Sequence, residues 1–274
     1  ALPWMLRACT TRIPARFRSR SRSRVAAMAA SAKLTLYDIP VSNHGARVRF
    51  HLYAKGLEDA VDIVAPMALE GGLKGPEYMA FSPQGKMPAM KLEDGSALFE
   101  SEVIAGYIRD KFADVGPSLV PSTPEGRAKA ALITRIHDLY IASIQGCMYK
   151  GPIEVSTRAE QITELAHQLD ILESTADAEG PFLAGPEASA ADAAVFPTFV
   201  FCTFALEKKF GWKSVWTGRP KLGRAYEAMK ADANGCRIYD EVLGGLQAWE
   251  ESGRWKKVGI EEQVQDSSVK WVFG

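Results

Sequence analysis

The hydrophobic pattern of this chain changes character once. Ahead of residues 113–126 (ADVGPSLVPSTPEG) short period-two runs alternate with helical ones, and beyond them every periodic segment is helical. Residues 33–38 (KLTLYD) alternate polar and apolar and read as a strand. Residues 46–55 then take an amphipathic helical spacing stopped by Gly56, which suits a left-handed C-cap. Residues 61–65 form a short β-branched strand, and strand–helix–strand implies a parallel pair with a right-handed crossover. A glycine-rich connection (Gly71, Gly72, Gly75) leads to strands over 89–92 and 97–99, separated by the hairpin signal Asp94-Gly95. A helix over 101–111 closes the unit.

The order βαβ then ββα over 33–112 is the thioredoxin-like one. The prolines and glycines of 113–126 mark a linker. Helical spacings over 124–149, 156–178, 189–205, 220–231 and 236–250 follow, giving a helical domain over 127–252. The expected fold class is therefore an α/β thioredoxin-like N-terminal domain followed by an all-α C-terminal domain. Residues 253–274, with Trp255 and Trp271, form a tail to which the sequence assigns no role.

Lys plus Arg and Asp plus Glu number 33 each, which removes the basic field that a nucleic-acid surface or an anionic membrane demands of a whole chain. The longest apolar stretch, 190–205, is broken by Asp192 and Pro197, so no membrane span is expected. Cys9, Cys147, Cys202 and Cys236 form no CxxC pair, and His44, His51, His137 and His167 are scattered. No metal site is expected, and a reducing compartment fits the cysteines best. Residues 1–33 hold no acidic residue and seven arginines interleaved with Ser, Ala and Thr, the composition of an organelle transit peptide. Met28-Ala-Ala-Ser equally reads as an ordinary start. The expected location is the cytoplasm, or a plastid or mitochondrion if 1–27 is a transit peptide, and 1–32 is a leader outside the fold on either reading.

Four local features bear on chemistry. Gln84-Gly-Lys-Met-Pro88 delivers a proline at a strand entrance; with Ala80 where a phosphate loop needs glycine, it is no Walker motif. Proline at this position of a thioredoxin-like unit is typically cis, which frees the backbone of Met87 to pair with an extended peptide. At Phe99-Glu-Ser101 a strand end runs into a helix. Ser101 reads as the N-cap, whose helix terminus attracts a carboxylate, and Glu100 suits an ammonium group. In DIPVSNHG (38–45) either Ser42 or Asn43 serves as a cap, and a hydroxyl at that helix terminus is also placed to donate to a thiolate. The loop has no cysteine for thiol–disulfide chemistry of its own. Ser189-Ala-Ala-Asp192 fits a capping box with a purely structural role.

These residues resemble the soluble glutathione transferases. The stretches LYDIPVSNHGARVRFHLYAKGLE, PEYMAFSPQGKMPAMKLEDGSALFESEVIAGYI, PFLAGPEASAADAAVFP and RPKLGRAYEAM are similar to that family's landmarks and stand in its order. The resemblance implies glutathione as co-substrate without a tightly bound cofactor, an apolar acceptor pocket for a small hydrophobic electrophile, and a homodimer. It implies that Glu100 and Ser101 hold the γ-glutamyl end, Met87 and Pro88 the cysteinyl part, and Lys74 and Lys86 the glycyl carboxylate. Ser42 falls where the phi and related serine classes place the thiolate-stabilising hydroxyl; Tyr37 is the runner-up, as in the tyrosine classes. The phi pattern prefers His-Lys before Pro-Glu, whereas here Leu73 precedes Lys74. The alternative to an enzyme that conjugates glutathione, or reduces hydroperoxides with it, is a non-catalytic assembly or ligand-carrier module of the same fold.

Overall fold

A computed structural model describes residues 33–273; the leader expected over 1–32 lies outside the described residues. The first half runs β1 (Leu34–Tyr37), α1 (Asn43–Ala54), β2 (Val61–Val64), α2 (Pro76–Phe81), β3 (Ala89–Lys91), β4 (Ala97–Phe99) and α3 (Ser101–Lys111). Its sheet has the order β2-β1-β3-β4, with β1 and β2 parallel and β3 antiparallel to both neighbours. The period-two pattern of β1 sends Leu34 and Leu36 into the main core and Tyr37 into a smaller cluster on the other face, with Tyr78 and Ala89. The glycine-rich connection contains an element that the sequence reading lacks: α2, opened by Pro76 at its first turn and anchored by buried Tyr78.

The second half runs α4 (Pro124–Ile136), α5 (Val155–Thr175), α6 (Ala190–Lys208), α7 (Pro220–Ala231), α8 (Ala233–Glu251), α9 (Arg254–Lys257) and α10 (Ile260–Gln263). The helix expected over 124–149 is shorter. It gives way at His137–Ile141 to a wider π turn, closed by Ala142 N donating to His137 O at 2.8 Å, and then to a 3-10 turn over Gln145–Met148. The wide turn holds the buried His137 ring against Thr198 of α6, with Nε2 2.8 Å from its hydroxyl, a contact between side chains 61 positions apart that no local pattern encodes.

Helix α6 is long and apolar enough to cross a membrane by length and composition, yet 83% of that stretch is buried inside the fold, where it forms the centre of the helical half. Ser189 and Asp192 make the full capping box at its start.

Helix α1 packs against α3 on one side and α6 and α8 on the other. The spacing of 46–55 predicts a solvated polar face, but almost every residue of α1 is buried. Its charged side chains are paired instead of hydrated: Arg47 with Asp138, Arg49 with Asp38 and with Glu241 at 2.8 Å, while the Tyr53 hydroxyl donates to Glu241 at 2.8 Å. Residues 253–273 dock on the helical half, where Trp255 donates to Met148 O at 3.0 Å and Trp212 to Trp271 O at 2.7 Å.

Candidate active site

The N-terminal turns of α1 and α3 face a cleft of about 550 Å3, bounded also by the 82–88 loop and by the C-terminal end of α4 with the turn that follows it. The loop is held from beneath: Tyr78 Oη and Ser82 Oγ both donate to Lys86 O, at 2.8 and 2.9 Å. Gly85 sits at φ +59°, and a Cβ there would meet Leu73 O at 2.9 Å, so only glycine carries the chain through that corner. The Met87–Pro88 peptide is cis.

At the other wall, β4 turns into α3 through Glu100, whose φ of 70° and ψ of 115° are left-handed for a non-glycine residue. The placement of Ser101 as N-cap needs correcting. Glu100 occupies the cap position, Ser101 is the first helical residue, and no side chain caps the helix. The cause is the sharp β4–α3 corner, which takes Glu100 out of the extended conformation that a serine cap adopts. The first amides of α3 are thereby left facing the cleft without a protein side chain to accept from them, the arrangement that favours an anion.

Of the sequence-derived candidates, Lys86, Met87, Pro88, Glu100 and Ser101 line this cleft together, and Ser42, Tyr37 and Lys74 do not. Ser42 is half-buried at the N-cap of α1, its Oγ accepting from Gly45 N at 3.0 Å. Tyr37 lies in the second aromatic cluster, stacked on Phe81 at 5.3 Å and edge-on to Tyr78 at 5.8 Å. Lys74 is exposed beside the turn at Gly85.

Side chains that sequence reasoning does not select complete the walls: His44 and Arg47 from α1, Glu102 from α3, and Arg135 and Asp138 from the helical half. Arg47 is fully buried and ties three elements, pairing with Asp138, standing 3.7 Å from Glu102 and reaching His137 Nδ1 at 3.1 Å. Burial raises the Asp138 carboxyl, but hydrogen bonds from His137 and Arg47 outweigh it and hold the group well below the usual carboxylate range. Asn43 extends the network, donating to Gln145 at 2.7 Å and to Thr198 at 3.0 Å. Arg47 and Asp138 are 91 positions apart, so the only signal available in sequence was a pair of arginines, Arg47 and Arg49, on a helix that the fold buries. Among the described residues no group of three or more His, Cys, Asp or Glu side chains gathers as a metal site.

Residues 41–111 match the family profile described as the glutathione S-transferase N-terminal domain, and residues 156–228 match the C-terminal one. The chain is 31% identical over 170 residues to glutathione S-transferase 3 of Zea mays, covering 59% of this chain and 75% of that protein. It is 30% identical over 174 residues to glutathione S-transferase F10 of Arabidopsis thaliana, covering 60% and 78%. The crystal structure of glutathione transferase F7 from Populus trichocarpa superposes with a TM-score of 0.65, covering 76% of this chain and 99% of that one; at 23% identity it speaks to the fold alone. A four-stranded thioredoxin-like unit with an uncapped helix terminus facing a cis-proline, followed by a helical domain and matched in sequence across both halves, makes this chain a member of the glutathione S-transferase family.

Proposed function

We propose that the cleft binds glutathione as its thiolate and directs the sulfur onto an electrophilic carbon of a small hydrophobic substrate. The observation that carries this reading is the pairing of Glu100 with the free amides of α3, across the cleft from Pro88. An α-amino acid end offers one ammonium and one carboxylate; Glu100 takes the first, Ser101 and the α3 terminus the second. The backbone of Met87 pairs with the cysteinyl unit, and Lys86, with Lys74 at the edge, faces the glycyl carboxylate. The thiol then points toward the start of α1. There Ser42 uses a lone pair of its oxygen for Gly45 N, and its hydrogen is contested between the buried Asp38 carboxyl and the sulfur. Tyr37 is the weaker candidate, because its ring is packed between Tyr78 and Phe81. Phe99, Val103, Leu139 and Ala142 supply the apolar wall for the acceptor. Buried Cys147 and Cys202, both free thiols, suit a reducing compartment such as the cytoplasm.

The test is Glu100→Ala. Removal of one charged hydrogen bond, about 1.5 to 3 kcal/mol, is expected to weaken retention on immobilised glutathione by roughly tenfold or more with the circular dichroism spectrum unchanged. A folded variant retained like the parent would refute the assignment of the γ-glutamyl site.

A further inference from the structure

Ser42 and His44 stand two residues apart at the start of α1 and differ in what they face. Ser42 spends its oxygen on the Gly45 amide at 3.0 Å, has the buried Asp38 carboxyl as a rival taker for its hydrogen, and is not among the residues lining the cleft. His44 does line it, together with Met87, Pro88 and Ser101. Its ring is held edge-on to His137 at 6.3 Å, and among the described residues neither ring nitrogen has a hydrogen-bond partner. A partly buried imidazole on the wall of a ligand cleft, with neither nitrogen committed to a protein partner, is free to donate to a molecule bound there.

On the reading of the cleft as a glutathione site, we propose that His44 donates a hydrogen bond from its neutral imidazole to the glutathione sulfur, sharing with Ser42 the stabilisation of the thiolate. The surroundings fix the protonation state this role needs. Burial, then the neighbouring His137 and the Arg47 guanidinium, with Lys150 adding to them, push the ring down to about 3; Asp138 alone opposes. The ring is therefore neutral at working pH, with one N–H to give. It is far too weak a base to keep the proton of a thiol whose free pKa is about 8.5, so that proton passes to solvent and His44 acts on the sulfur as a fixed donor in a partly dry site. The network Arg47–Asp138–His137–Thr198 holds the ring environment from below, with His137 Nε2 2.8 Å from Thr198 Oγ1.

The experiment titrates the ultraviolet absorbance of enzyme-bound glutathione thiolate against pH, alongside kcat and KM with a neutral aryl halide, in the full chain and in His44→Phe, His44→Gln and Ser42→Ala. His44→Phe is expected to raise the thiol midpoint by about one unit and to lower kcat at neutral pH by roughly tenfold, with the KM for glutathione within about twofold. His44→Gln, which restores a neutral N–H, is expected to recover most of both. A phenylalanine variant with the parental midpoint overturns the proposal, as does a glutamine variant as impaired as the phenylalanine one, which would make the ring structural. Loss of retention on immobilised glutathione in His44→Phe also overturns it, by making His44 a binding residue. If the parent chain itself shows no thiolate band and no retention, the reading of the cleft falls and this proposal with it.

Discussion

Asp192 has no solvent contact and accepts three hydrogen bonds: from Leu183 N at 2.8 Å, Ser189 N at 2.9 Å and Ser189 Oγ at 2.8 Å. It thereby fastens the loop ahead of α6 to the start of the helix on which the helical half is built. Asp192→Ala would leave two amides and a hydroxyl buried without an acceptor, an expected loss of about 3 to 5 kcal/mol, or roughly 10 °C in Tm. The loss depends on pH in a definite direction. Burial pushes the carboxyl up to about 6, and the hydrogen bonds pull it back only in part. A native carboxyl that keeps its proton above the unfolded value contributes stability that is complete below that value and is lost as pH rises through about 6. Only the parent has this contribution to lose, so the gap in Tm between parent and Asp192→Ala is expected to narrow from pH 5 to pH 7. Thermal melts at the two pH values check it; a gap that stays the same would show that the carboxyl is already the anion in the native protein at pH 5. Asp38, buried beside Arg49 and also raised to about 6, tilts the parental curve the same way.

Elements whose reasons are local were legible in the sequence, and those set by distant partners were not. The capping box at Ser189 and Asp192, the helix from Pro220 to Ala231 and the Asp94-Gly95 hairpin each follow from neighbours along the chain. The burial of α1 does not, because Asn43, Arg47, Arg49 and Tyr53 each have a partner at least 90 positions away, the farthest at 192. The same is true of the tail. Its short helices are too brief to be stable alone, and α9 exists because Trp255 fills the space against Phe204, 5.4 Å between ring centroids, while its indole N–H reaches Met148 O. Trp255→Ala should therefore cost about 3 to 5 kcal/mol, and a chain ending at Ser252 at least as much. Urea unfolding followed by tryptophan fluorescence measures both; a truncated chain as stable as the parent would show that these contacts add nothing. In the cleft, the candidates that sequence selects, Lys86 to Pro88 with Glu100 and Ser101, are joined by His44, Arg47 and Glu102 from the same half and by Arg135 and Asp138, which only the docking of the helical half brings to the same wall.

The molecule as a whole leaves an apolar surface uncovered beside that cleft. Phe99 at the end of β4, Val103 in the first turn of α3, Leu132 and Leu139 seven residues apart along α4 and its continuing turn, and Tyr140 are all exposed, Val103, Leu132 and Tyr140 by more than half. Phe99, Val103 and Leu139 border the cleft itself, so whatever covers this face also narrows the entrance to the site. Single exposed apolar side chains need no explanation, but five drawn from β4, α3, α4 and the turn that follows it are what a self-complementary interface presents. A second copy of the chain related by a twofold axis is the simplest occupant, since each copy offers the same patch to the other. The expected state in solution at micromolar concentration is thus a homodimer. Val103→Asp combined with Leu132→Asp would place unpaired carboxylates in the contact and should shift the chain to monomer, by at least about 3 kcal/mol per dimer. Sedimentation velocity on parent and double variant decides the point: a parent that sediments as a monomer, or a double variant that remains a dimer, would place the interface elsewhere or remove it.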